Sequence, residues 1–541
     1  MTRYLLAAEA DKIQDFLFRS SRLREVVGGS QLLERFCAEV PPLLVKKHGG
    51  SRKDLVVHSG GSFRIEFDDG EKARNFGADL AQVYHHATDG TLSVAGPVKI
   101  GSSFGQASEQ AEEKLRRAKH GRAGWHSSHH LPYVAFCASC GVGLAVEHQA
   151  YHEDRKPQYL CRACLTKATK RAERADDAQS FLGKFYRTVV ETGECDWPGW
   201  VKRRGRQELD PVEDIADYDG RRYVAYLLAD GNEIGRLFSQ CATEEQMRRL
   251  STGLEQVMRE ALAAPTRKAM DYPLNDRQQF IPALPLISGG DDLFALIPAP
   301  WALDFAGIFC QEYERRMQAL LQQLGLALDE FKPTISAAVV ICKSKHPYRL
   351  AHQAGEARLR EAKRLSKRLA KDKLTQQQLS AVNFEVVLGG RLVRPEDEGQ
   401  VRPTLRPYWV DDNPPEAWGL SLWRLLALRQ RLEEKEVPHK RLAEFRELYD
   451  RFNLPASLNK DDLEPWTADL DRLLGRIDRS ETQGQVMRQA LEKLGGSDKA
   501  YWYQVERWPE NRWHGHGLPD LLEAWDFALS LDPSSHKHEE V

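Results

Sequence analysis

The sequence has almost no net charge. Its 77 lysines and arginines stand against 79 aspartates and glutamates, for a formal charge of −2. Such a balance makes no strong field for a polyanion, so non-specific coating of DNA is not expected, and any RNA contact has to rest on local basic segments or on partner subunits. Long hydrophobic runs are missing too. No apolar stretch reaches the roughly 18 residues that span a bilayer, and the opening Met1-Thr2-Arg3-Tyr4-Leu5-Leu6 turns polar at Glu9. Neither a signal peptide nor a membrane anchor is expected, and the location implied is cytoplasmic. A disulfide framework is the third absence. Nine cysteines are spread over 541 residues; four cluster, while Cys37, Cys195, Cys241, Cys310 and Cys342 stand singly among apolar or helical residues, where a thiol packs as a small hydrophobe. A chain of this length holds roughly three or four domains.

What is present centres on residues 282–298, where two apolar runs flank Gly289, Gly290, Asp291 and Asp292. Apolar, turn, apolar predicts a hairpin. Two carboxylates at a strand entrance between such flanks cost several kcal/mol if buried without a partner, which points to a cation such as Mg²⁺. On this stretch alone a surface turn with aspartates facing water is an alternative, since Gly-Gly-Asp is common turn chemistry. A second stretch, Tyr223 to Phe238, reads as a buried strand ending in Asp230, Gly231 and Asn232 and running into a helix. Gly231 admits close approach to the backbone, Asn232 is a capping type, and the first N–H groups of the helix favour an anion.

Both stretches have a counterpart near the start of the chain. Setting Ile13 on Ile234 places Glu9 on Asp230, Ala10 on Gly231 and Asp11 on Asn232. Residues 57–67 lie over 287–296, with Ser62 and Phe63 against Asp291 and Asp292. Ala107 to Lys119, after a strand at 93–100, matches Ala351 to Lys363, after a strand at 335–342; Glu112, Leu115, Ala118 and Lys119 register with Glu356, Leu359, Ala362 and Lys363. Three motifs in one order imply a tandem duplication of one α/β unit. The first copy has lost the acidic pair and keeps Glu9, which predicts one catalytic half and one structural half still able to hold a nucleotide.

A strand carrying one acid beside a Gly-Gly-Asp-Asp hairpin is the metal-binding pattern of the palm of nucleotidyl cyclases and polymerases. From residue 4 to about 410 the chain resembles the large, double-palm subunit of type III CRISPR effector complexes, which makes cyclic oligoadenylates from ATP. The resemblance implies an α+β multidomain fold of two tandem ferredoxin-like palms. It implies that Asp230 and Asp291 hold two Mg²⁺ (or Mn²⁺) ions with Asp292 as a further ligand or support, and that Gly231, Asn232, Ser288, Gly289, Gly290 and Lys363 surround the nucleotide. It implies guide RNA, target RNA and other subunits of the complex as partners. The arginines of 19–30, which also resemble the family's first palm, suit RNA or phosphate, with a solvated helix end as the alternative. The family's HD-type nuclease domain, with its His-Asp pair, is not found: the sequence opens on the first palm and has no His-Asp dipeptide, so DNA cleavage is not expected. A non-catalytic scaffold and a diguanylate-cyclase-like enzyme are the rival readings. The first sits badly with an intact acidic set, the second with two palms in one chain.

Four segments follow: 1–125, a degenerate first palm; 126–220, a four-cysteine zinc module and helical insert; 221–392, a catalytic second palm; and 393–541, a proline-rich connector and C-terminal helical domain. In the insert, charged residues at helical spacing (Lys167, Lys170, Arg171, Arg174) precede Phe181, Phe185 and Tyr186, and Arg203, Arg204 and Arg206 read as a solvated linker. Residues 382–390 read as a last strand, and the tail from Ser534 as disordered. Eight of twelve tryptophans fall at Trp409 or later, and such anchors predict a well-packed helical core there.

Cys137 and Cys140 are matched by Cys161 and Cys164 in a paired CxxC arrangement. Four thiolates close a tetrahedral site and leave no open position, so the expected Zn²⁺ is structural; a redox pair or an iron–sulfur cluster uses similar spacing. His148 and His152 are surplus to the set and are expected to be exposed in the intervening loop. Elemental analysis of protein purified without added metal should find one zinc per chain, and iron in its place would reject the assignment.

Overall fold

The computed structural model describes residues 2–20, 23–101, 103–120, 135–150, 157–172, 181–190, 211–272, 281–326, 332–369, 378–387, 404–411, 420–450, 460–477, 481–495, 503–508 and 511–532. Cys195, His152, Arg174, the 203–206 run, most of the proline-rich connector and the tail lie outside them. Among the described residues no helix is long and apolar enough to cross a membrane.

The first sheet is built from β1 (Arg3–Asp11), β2 (Leu55–Ser59), β3 (Ser62–Phe67), β4 (Thr91–Val94) and β5 (Val98–Ile100), in the order β2-β3-β1-β4 with β5 also on β1. Between the palms a short hairpin, β6 (Glu147–Ala150) and β7 (Pro157–Leu160), leads into the helix Arg162–Ala172. The second sheet comprises β8 (Tyr223–Gly231), β9 (Leu284–Gly289), β10 (Asp292–Pro298), β11 (Ile335–Lys343), β12 (Ala381–Val386) and β13 (Tyr408–Trp409), in the order β13-β12-β11-β8-β10-β9. β14 (Tyr503–Trp508) and β15 (Asn511–Gly515) form a hairpin in the otherwise helical C-terminal part. This is the α+β, palm-type architecture that the repeat implies.

Strand alternation decides where each face goes. Along β8, Tyr223, Ala225, Leu227 and Ala229 join a core with the helices Glu244–Met270 and Ala302–Leu324 and with the C-terminal helices, whereas Val224, Tyr226 and Leu228 join a core shared with Leu6, Ala8 and Phe63 of the first palm. Both faces are covered, which is why β8 and β11 read as nearly unbroken apolar runs. Trp423 packs against Gly307, leaving no room for a side chain there, and Trp409, Trp423 and Trp525 are buried, as a packed core demands. The connector is stitched in as well: β13 extends the sheet, Arg406 reaches Asp520 at 3.0 Å and Glu523 at 3.1 Å, and Tyr408 donates to Asp520 at 2.7 Å.

The palms meet tip to tip. A Cβ on Gly60 would lie 3.0 Å from the Gly289 carbonyl carbon, and one on Gly289 would lie 3.2 Å from the Gly60 Cα. Each palm also covers the other's outer strand. The helix Leu23–Lys47 lies on β9, and the helix Glu244–Met270 lies on β2, where Arg248 donates to the carbonyls of Leu55 and Lys53 at 3.2 and 2.8 Å. That second helix is started by a capping box between Thr243 and Gln246, two orphan donors answered reciprocally. On the far side, Phe18 from the short helix Ile13–Phe18 stacks on His352 at 3.8 Å and meets Phe294 edge-on at 5.2 Å.

The four-cysteine module is clamped onto that same short helix. Buried Lys167 donates from Nζ to the Phe16 carbonyl and sits 3.9 Å over the Phe16 ring. A Cβ on Gly28 would collide with the Lys167 carbonyl, and one on Gly29 would lie 3.3 Å from its Cε. Ser139 donates to the buried Glu25 carboxylate and lies 3.0 Å from the Ser20 hydroxyl. The Gly28-Gly29 pair thus serves helix-to-helix approach.

Two tests follow from these contacts. Gly60 holds φ +57 with Gly289 against it, while a Cβ on Gly235 meets nothing within 4 Å; left-handed strain costs about 1–3 kcal/mol, so Gly60→Ala should lower the melting temperature by several degrees and Gly235→Ala should not. Equal melting of the two variants would remove the tip contact from the account. His352 is 6% exposed and burial pushes its pKa down to about 4. An imidazole depressed in the folded state leaves stability intact above the unfolded value near 6.5 and loses it as pH falls below that value, by about 3 kcal/mol once pH reaches 4. Thermal melts at pH 7.5 and 5 should therefore show a smaller acid loss for His352→Phe than for wild type; an identical loss would overturn the assignment.

Candidate functional site

Asp230 ends β8, and in the ladder to β10 it stands directly opposite Asp292. The hairpin sequence thus brings two carboxylates together on one face while Asp291, one residue earlier, falls in the opposite phase. Gly290 takes φ +63 to make the turn, and the Asp291 carbonyl accepts from the Gly231 N–H at 3.3 Å. Lys363, from the helix Tyr348–Leu369, makes an ion pair with Asp230. Desolvation by the surrounding protein, followed by the charge of Asp230, pushes Asp291 up to about 7 and Asp292 up to about 8, with Lys363 pulling the other way. Asp292 reaches solvent and Asp291 is half-buried. One lysine against three acids leaves negative charge uncompensated, and the donors are all hard oxygens, so the set fits a divalent cation of the Mg²⁺ type.

The other sequence-derived positions have packing roles in this arrangement. A Cβ on Gly231 would lie 2.7 Å from the Tyr313 hydroxyl and 2.6 Å from Ile234 Cγ1, so the space is filled by protein. Asn232 does not cap: Glu233, at φ 55, holds the cap position and makes no side-chain capping bond. The buried Asn232 amide instead donates to Thr334 at 3.0 Å and Ser366 at 3.2 Å and accepts from Ser336 at 2.9 Å. It ties β8, β11 and the helix of Lys363 into one frame. Ser288 is partly buried on β9 opposite Leu293, and Gly289 faces Gly60.

The first palm repeats much of this corner. Glu9 pairs with Lys119 at 2.6 Å as Asp230 does with Lys363. Ser93 donates to Asp11 at 2.8 Å as Ser336 does to Asn232, and Lys12 and Glu233 share the left-handed conformation at φ 50 and 55. One expectation needs correction. Glu9 faces Ser62 where Asp230 faces Asp292, and Ala10 N–H donates to Gly61 at 2.8 Å as Gly231 N–H does to Asp291. Gly61 and Ser62, not Ser62 and Phe63, occupy the places of Asp291 and Asp292. Pairing the two Gly-Gly dipeptides slips the repeat by one residue; Phe63 is a fully buried core side chain. The first palm still lacks the acidic pair. Ser93 and Ser336 were missed in the sequence, although matching Glu9 and Asp230 to the next strand of each copy pairs them.

The two corners are neighbours: after desolvation and Asp230, the first palm's Glu9 also raises the Asp291 carboxyl of the second. Beside them a cleft of about 440 Å³ runs between the short helix of the first palm and the Lys363 helix of the second, lined by Phe18, Arg19, Arg349, His352, Glu356 and Arg360 among others. Gln14 spans it to Glu356 at 3.2 Å. Aromatic and guanidinium groups beside a carboxylate cluster suit a nucleotide's base and phosphates. Arg22 and Arg24 contribute nothing describable, since their side chains lie outside the described set.

Cys137, Cys140, Cys161 and Cys164 bring their sulfurs within 4.8 Å of one another. Gly143 N–H points at Cys140 Sγ at 3.4 Å and Cys164 N–H at Cys161 Sγ at 3.5 Å, as thiolates bound to a metal would require. His148 is exposed but lies on β6, stacked on Tyr159 at 4.3 Å, rather than in a loop.

Residues 223–375 match the Cas10/Cmr2 second palm domain. No curated protein matches the chain in sequence. Among solved structures, the Csm1–Csm4 cassette in complex with pppApA has a chain that superposes with a TM-score of 0.54 at 16% identity, over 97% of this chain and 69% of that one. The cassette with one ATP gives 0.51 at 17%, over 96% and 70%, and the cassette with cA4 gives 0.50 at 17%, over 86% and 64%. At these identities the likeness is one of fold, and the present chain spans about two thirds of the length of its matches. From β8 onward, residues 223–375 are therefore a second palm of the Cas10/Cmr2 type, and the fold of the Csm1–Csm4 cassette's similar chain is shared along most of the sequence.

Proposed function

We propose that this protein is a metal-dependent nucleotidyltransferase that joins ATP into cyclic oligoadenylate, working in a type III CRISPR effector complex and switched on by target RNA. The observation that carries the reading is the unequal pair of corners. Both palms present an acid held by a lysine, they face each other, and only the second adds Asp291 and Asp292. A donor ATP fits the second palm and an acceptor ATP the first, with its 3′-hydroxyl turned toward the acids. Two Mg²⁺ ions on Asp230 and Asp291 would supply an activated hydroxyl and neutralise the leaving pyrophosphate. Lys363 neutralises Asp230 in their absence and is placed to meet phosphate oxygens instead; Arg19, Arg349 and Arg360 give the cleft wall a positive lining. Zn²⁺ on the four cysteines would have a structural role. Partners are proposed by analogy: the similar chains were solved in a cassette with Csm4, in complexes with ATP, pppApA and cA4.

Incubating the purified chain, alone and with candidate RNAs and partner subunits, with each labelled NTP and Mg²⁺ tests the proposal; incorporation of GTP but not ATP would redirect it to a guanylate cyclase. Asp291→Ala with Asp292→Ala should abolish product while leaving the melting temperature unchanged or slightly raised, because it removes clustered negative charge. Glu9→Ala should retain substantial turnover where Asp230→Ala retains none. Equal losses from the two single variants would mean that both palms supply metal ligands, and the asymmetric scheme would fail.

A further inference from the structure

We infer that Tyr313 is a positioning residue for the carboxylate of Asp291, an inference that rests on the metal-dependent reading above. Tyr313 projects from the helix Ala302–Leu324 into the core beneath β8; it is fully buried, and its hydroxyl has no hydrogen-bond partner. A buried hydroxyl without a partner is costly to the fold, and phenylalanine would fill the same volume without that cost. The hydroxyl therefore has to serve an acceptor that engages it in another state of the site.

Its surroundings narrow the choice. The acidic groups that bear on it are Asp291, Asp230 and Glu314. Glu314 is occupied by Ser380 at 2.5 Å and Lys332 at 3.2 Å, and Asp230 is held by Lys363 on the opposite face of the sheet. Asp291 is left. Strand phase puts Asp291 and Gly231 on the helix-facing side, where the Tyr313 hydroxyl lies 2.7 Å from the place a Cβ on Gly231 would take. Gly231 is thus the opening through which the hydroxyl comes up beneath the hairpin. Burial holds the Tyr313 pKa well above its ordinary value, so the group stays a neutral donor and adds no charge to the acidic cluster. With a cation held by one oxygen of Asp291, the other would accept from the hydroxyl, which would fix the rotamer in the way outer groups orient metal ligands. The same geometry separates the two acids: Asp292, paired with Asp230 on the other face, has no such support.

The experiment is a Mn²⁺ titration of the full chain followed by electron paramagnetic resonance, with thermal melts, for wild type, Tyr313→Phe and Tyr313→Leu. Tyr313→Phe is expected to bind Mn²⁺ about tenfold more weakly with a melting temperature equal to or above wild type, whereas Tyr313→Leu lowers both. A residue that only packs would leave Mn²⁺ affinity unmoved in Tyr313→Phe, and that result overturns the inference. Wild type binding no more Mn²⁺ than Asp230→Ala with Asp291→Ala would instead overturn the metal reading, and this inference with it.

Discussion

Much of the molecule depends on two hairpin turns meeting backbone to backbone. Gly60 and Gly289 approach so closely that a side chain on either would press on the other's backbone, and around that point the palms are arranged as matched copies, each laying its long helix on the other. The contact fixes how far apart the two corners stand. Because Glu9 is near enough to raise Asp291, a change of even a residue's width at the tips would alter both the cleft and the electrostatics of its acids.

The duplication makes the charge pattern intelligible. In the first palm Glu9 meets one lysine; in the second the same lysine faces three acids, and desolvation followed by the charge of Asp230 pushes two of them up toward neutrality. The two halves therefore differ less in scaffold than in how much unanswered charge each carries. The four-cysteine module belongs to the same frame, since Lys167 fastens it to the helix whose Phe18 forms part of the cleft and Ser139 fastens it to Glu25 of the next helix.

The repeated strand-to-helix corners, the hairpin and the Lys363 helix were legible in the sequence because each is a local pattern with a matched copy. Alternation along β8 and the CxxC spacing were legible for the same reason. What was not legible depended on distance. Asn232 has the composition of a cap, yet its partners Thr334, Ser336 and Ser366 come from more than a hundred residues away, and no local signal tells a capping amide from a cross-strand one. The one-residue slip in the first hairpin arose because Gly-Gly is a stronger visual match than ladder register; only the pairing of Glu9 with Ser62 decides it. Tyr313 reads as one more aromatic on a helix until Gly231 is seen above it.

The exchange of long helices between the palms has a consequence for the chain while it is being made. β2 is an outer strand, and the carbonyls of Leu55 at its start and of Lys53 just before it are answered by Arg248, a residue synthesised much later. At roughly 5–20 residues per second, the first palm waits on the order of tens of seconds with that strand bare, and a bare outer strand is a template for pairing with another chain. Nascent copies on neighbouring ribosomes would meet in this state, so the yield of soluble protein should depend on how that interval is shielded as well as on the stability of the finished fold.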